Sequence, residues 1–157
     1  MSFVRSLMSC LVATFALALP APPAHAQARM EREGVVLYWG LIPAAIASQR
    51  FDMEDTHGAA EPGGGKRHHL VVALFRADGT RIENAVVRAQ LKEVGINDSP
   101  PKYLTPMTIN DQASYGQVFT SVLSGRVYFR VWVKLPDRPS EIEYRISAEP
   151  PHAGGQQ

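Results

Sequence analysis

The chain has 157 residues, 45% of them hydrophobic, with 16 Lys and Arg against 15 Asp and Glu and a single cysteine, Cys10. So even a balance carries no clustered positive field of the kind that nucleic acid or an anionic membrane surface demands, and one thiol builds neither a disulfide nor a thiolate metal cage. The length suits one ordinary domain with an apolar core that needs no covalent staples.

The N-terminus reads as an export signal. Arg5 supplies a basic start, Leu7 to Leu19 is almost wholly apolar, and Pro20, Pro22 and Pro23 lead to Ala24-His25-Ala26, a small-residue cleavage pattern. The apolar run is shorter than the ~20 residues of a membrane span. Leu7-Met8-Ser9-Cys10 imitates a lipoprotein cleavage site, but only four residues separate Cys10 from Arg5, against the roughly 7–15 apolar residues that export requires. The expectation is a signal peptide over residues 1–26 and a periplasmic protein that starts near Gln27, with no lipid, no transmembrane anchor and no cysteine. Removing 26 of the 157 residues, Arg5 among them, leaves 131 residues with 15 basic and 15 acidic side chains.

Beyond Gln27 the periodicity is that of strands. Val35 to Ile42 is the first, ended by Pro43. Ala44 to Gln49 is the one short stretch with helical character, and Asp52 to Arg67, with Pro62 and Gly63-Gly64-Gly65, reads as a mobile loop. Leu70 to Phe75 is apolar on both faces, as in a central strand, and Asp78-Gly79 marks a tight turn. Ala85 to Val94 follows, with Arg88, Gln90 and Lys92 on its wet face. Tyr103 to Ile109 and Tyr115 to Leu123 are joined by the polar turn Asn110-Asp111-Gln112. Arg126 to Leu135 alternates apolar with basic or aromatic residues, the period of a half-buried strand, and Glu141 to Ser147 repeats it after the turn residues Pro136, Asp137 and Pro139. About seven antiparallel strands in one domain, residues 27–149, predict an all-β, immunoglobulin-like β-sandwich, with a disordered tail over residues 150–157.

Of the five histidines, His57, His68 and His69 fall within thirteen residues, at the end of the loop and the start of the central strand. With no cysteine in the exported chain, imidazole and thioether are the ligands left for a soft or borderline metal. Met53 and Met107 are the methionines within reach, and copper suits that set best. His68 and His69 are neighbours, so on a strand their rings point to opposite faces. The plainer reading is that they close a flexible loop, with His57 solvated and Met107 filling a gap in the core. A second feature is the stripe Arg126, Tyr128, Arg130 and Trp132 on one face of the best strand. If exposed, it is a recognition surface for an envelope partner; the alternative is that the segment bearing Tyr38 and Trp39 packs over it. Patterns that mark enzymes are missing: Gly63-Gly64-Gly65-Lys66 is followed by Arg67 where a phosphate loop needs Ser or Thr, and no nucleophile elbow or zinc-protease motif occurs.

The run His68 to Phe75 followed by Asp78 to Val87 resembles small secreted immunoglobulin-like modules of the YtkA/FixH-like kind. Leu104 to Ile109 and Ser114 to Phe119 are similar to a pattern recurring in proteobacterial periplasmic proteins. The resemblance spans roughly residues 66–148. It implies a β-sandwich of the cell envelope, associated with copper handling or respiratory-complex assembly and without catalysis. The chain departs from copper-handling sandwiches in having one clustered histidine pair where they carry a rich Met/His array. The expected role is a non-enzymatic copper-binding accessory or chaperone, or else a structural or partner-binding envelope module without metal.

Overall fold

The computed structural model describes residues 28–44, 47, 65–93, 95–96, 98–122 and 125–149. They form nine strands: β1 Ala28–Arg32, β2 Val35–Pro43, β3 Lys66–Arg76, β4 Val86–Lys92, β5 Lys102–Tyr103, β6 Thr105–Ile109, β7 Gln112–Ser121, β8 Val127–Lys134 and β9 Ile142–Ala148. One sheet has the order β1-β2-β3-β7-β6 and the other β5-β4-β8-β9, and every pairing is antiparallel. Leaving out β1 and β5, the arrangement β2-β3-β7-β6 over β4-β8-β9 is the A-B-E-D and C-F-G layering of a constant-type immunoglobulin domain.

The core lies between the sheets. Leu37, Leu70, Val72, Leu74, Tyr115 and Phe119 of the first sheet face Val87, Ala89, Phe129, Val131, Val133, Ile142 and Tyr144 of the second, all buried. Phe119 meets Phe129 edge-on across the layers, with ring centroids 5.1 Å apart. Two phenols add directed links: the Tyr144 hydroxyl donates to the Val35 carbonyl at 2.9 Å, and the Tyr115 hydroxyl accepts from the Ala85 N–H at 3.0 Å.

Six of the seven expected strands are present as such, and two features bring the number to nine. β1 was not anticipated: it forms a hairpin with β2 through Glu33-Gly34, both at positive φ (51° and 74°), a two-residue turn whose twist matches that of the flanking strands. The segment Tyr103 to Ile109 is not one strand but two. At Leu104, which is buried and donates its N–H to the Val87 carbonyl at 2.9 Å, the chain leaves the second sheet for the first, so β5 and β6 belong to different layers. Asn110 and Asp111, at φ 50° and 58°, turn β6 into β7. Finally, β3 begins at Lys66 rather than Leu70, which takes Lys66 and Arg67 out of the expected loop and places both His68 and His69 inside the ladder. Residues 1–27, most of the loop and the tail lie outside the described residues.

Candidate metal centre

Side chains alternate along β3. His68 falls on the face of Leu70, Val72 and Leu74, directed between the sheets, and is paired in register with Phe119 of β7. His69 falls on the other face with Val71, Ala73 and Phe75, in a row with Ile42 of β2 and Val118 of β7. The two imidazoles therefore stand on opposite sides of the sheet and do not share an ion. His69 is nevertheless 1% exposed, and its Nε2 has no hydrogen-bond partner among the described residues.

What His69 faces is set by the next two strands of the sheet, β7 and β6. Gly116 of β7 is paired with Val71 on one side and with Thr105 of β6 on the other, and Met107 of β6 is paired with Ser114, so Gly116, His69 and Met107 share the outer face. Having no side chain, Gly116 leaves a gap that the other two fill. A methyl group placed on it would lie 2.2 Å from His69 Nε2 and 2.7 Å from Met107 Sδ, so both donor atoms sit beside one point. Gly116 escaped the sequence reading, although a lone glycine inside a strand pattern signals close approach of another group.

The surroundings disfavour the protonated form of both imidazoles. Burial pushes His69 below the ordinary histidine value, and burial together with the Lys66 ammonium does the same for His68. A neutral imidazole offers a lone pair to a metal; a protonated one does not. Leaving buried ring nitrogens without partners costs roughly 1–3 kcal/mol each, and among the described residues both nitrogens of His68 and Nε2 of His69 are in that position; what sets His69 apart is the thioether beside it. The donor set is a borderline nitrogen and a soft thioether, which fits a copper ion. It is also incomplete: among the described residues no three His, Cys, Asp or Glu side chains converge. Met53 and His57, the other expected ligands, lie outside the described residues.

The expected recognition stripe lies on the outer face of the second sheet. Tyr128 is 49% exposed, and Arg126 precedes the strand on the surface. Trp132 is half-buried between two guanidinium groups, Arg88 at 4.6 Å and Arg130 at 5.0 Å from its ring centre. Tyr38 and Trp39 are elsewhere: Tyr38 packs edge-on against Phe75, and the Trp39 indole donates to the Ser147 carbonyl at 2.9 Å. The arginines are occupied. Arg130 holds Glu143 through two bonds of 3.2 and 2.9 Å, Arg88 holds Glu141 at 3.2 and 2.6 Å, and Arg126 reaches Glu149 at 2.5 Å. Hydrogen bonds from Arg130 and Arg145 hold the Glu143 carboxyl down at about 2. An anionic partner would have to displace these carboxylates.

No known family and no curated protein matches this chain. Among solved structures it is similar to a DUF4426 family protein from Pseudomonas aeruginosa, with a TM-score of 0.58 and 8% identity over 78% of this chain and 93% of that one. It is also similar to a copper-bound variant of FetP from uropathogenic Escherichia coli, with a TM-score of 0.53 and 13% identity over 79% and 93%. At such identities the likeness is one of fold: the chain shares a small β-sandwich with both, and neither comparison singles out the YtkA/FixH-like kind.

Proposed function

We propose that this chain is a non-enzymatic periplasmic protein that binds copper at its outer sheet face, as an accessory or chaperone, with His69 Nε2 and Met107 Sδ as donors. The observation that carries the reading is the buried, unpartnered imidazole nitrogen set beside a thioether over the bare backbone of Gly116. Thioether ligation favours the cuprous state, and the two donors among the described residues do not by themselves fill the coordination of an ion. That the FetP variant is copper-bound supports a sandwich of this shape as a copper carrier. Export rests on the N-terminal pattern of residues 1–26, and no helix among the described residues is long and apolar enough to cross a membrane.

The test is a cuprous titration against a chromophoric chelator, with purified chain beginning at Gln27. His69→Ala and Met107→Leu should each weaken binding at least tenfold, while His68→Ala, on the other side of the sheet, should leave it nearly unchanged. Unchanged affinity in His69→Ala, or no binding by the parent protein at neutral pH, would remove the copper role. The partner-binding reading would then lead, resting on the outward-facing Tyr128 and on Tyr103, which is 67% exposed on the same face.

A further inference from the structure

The outer face of the first sheet carries a second concave feature, distant from His69. Between β1, β2, β3 and the turn that follows β3 lies an open cavity of about 520 Å³, with Tyr38, Ala73 and Phe75 as its apolar floor and Arg29, Arg76 and Arg81 around it. The volume is that of a small-molecule site, roughly 300–1,000 Å³. Phe75 is six residues along β3 from His69, on the order of 20 Å at ~3.3 Å per residue.

The three guanidinium groups are not equivalent. Arg29 pairs with Glu31 at 2.9 Å and Arg76 with Asp137 at 3.2 Å, in ion pairs whose members are about half exposed and so exchange readily with a competing anion. Arg81 is different. Its Nε donates to the Ala113 carbonyl at 2.7 Å, Nη2 to the same carbonyl and to Ser114 Oγ at 3.0 Å, and Nη1 to Gln112 Oε1 at 2.6 Å. Every one of these acceptors is neutral. Four of its five N–H groups are thus committed to positioning, and its charge faces the cavity with no carboxylate at ion-pair distance among the described residues. The guanidinium also lies over the Phe75 ring, 4.7 Å from its centre, so the cation is held rigidly against the apolar floor.

We infer that this cavity binds a small organic carboxylate, its anionic end on the free Nη1 N–H of Arg81 and on Arg76 or Arg29, its apolar or aromatic body on Phe75, Tyr38 and Ala73. The charge selects an anion, and the apolar floor selects one with an organic body over an inorganic ion. The site is independent of the copper reading.

Amide shift titration of the ¹⁵N-labelled protein with phenylacetate, benzylamine and inorganic phosphate tests it. Phenylacetate should give saturable shifts at Phe75, Gly79 and Gln112, and benzylamine none there. Phosphate should bind at least tenfold more weakly. Arg81→Gln should reduce phenylacetate affinity at least tenfold. Since Arg81 also ties down β7, Ala73→Phe supplies a second check: it fills the floor, removes no arginine, and should abolish the shifts while His69→Ala preserves them. Absence of saturable shifts, equal response to benzylamine, or full affinity in Ala73→Phe would overturn the site. Phosphate binding as tightly as phenylacetate would overturn its organic character.

Discussion

Gly116 is the residue on which the candidate centre turns, because its missing side chain is what brings an imidazole nitrogen and a thioether sulfur to one point. Gly116→Ala should force both donors aside. We expect a destabilisation of ~1–3 kcal/mol, as for other small-to-large changes in a packed site, together with loss of copper affinity; denaturant melts and the cuprous titration check the two separately. The histidines make a second prediction. Their pKa values are lowered by burial, so below the unfolded value of ~6.5 the unfolded chain takes up protons that the folded one refuses. Stability from this source is therefore fully present above pH ~6.5 and is lost as pH falls toward the folded values. Urea midpoints should be flat between pH 7 and 8 and fall below 6.5, and His68→Phe combined with His69→Leu should flatten that fall. An unaltered slope in the double variant would assign the acid sensitivity to other groups.

At the scale of the element, β8 shows why some strands are legible and others are not. Its inner row Val127, Phe129, Val131 and Val133 is buried and its outer row is polar or aromatic, so the period of two stands out in the sequence. Phe129→Ala should cost ~3–5 kcal/mol in denaturant melts, since burial is lost and a cavity remains beside Phe119. Trp132→Ala removes two stacked guanidinium contacts at a half-exposed site, for which ~1–2 kcal/mol is the expected loss. A Trp132 effect as large as that of Phe129 would mean that the outer face is more deeply packed than its exposure indicates. β1 and β5 carried no comparable signal. β1 has charged residues on both faces and depends on its hairpin turn and on β2 for its place, while β5 is two residues long.

Across the whole molecule the two layers are tied by more than apolar contact. Arg32 donates to the Glu143 carbonyl at 2.6 Å and Trp39 to that of Ser147 at 2.9 Å, so side chains from the first sheet cover main-chain acceptors of the edge strand β9 and blunt it against pairing with other chains. The buried Tyr144 hydroxyl, its pKa pushed up to about 12 by burial, makes the most enclosed of these links, to Val35. Tyr144→Phe should cost ~1–2 kcal/mol, the value of a buried hydrogen bond with one acceptor left unpaired, and a neutral result in thermal or urea melts would show that the layers are held by packing alone. The amino-acid order by itself determined the class of fold, the pairing of β8 with β9 and of β6 with β7, and the opposed directions of His68 and His69. Each of these follows from the period of two along a chain or from a turn between near neighbours. Only the tertiary structure decided that the chain changes sheets at Leu104, that Met107 and Gly116 meet His69, and that Arg81 stands over Phe75 with no carboxylate at ion-pair distance among the described residues. Those depend on register between strands far apart in sequence, which no local pattern encodes.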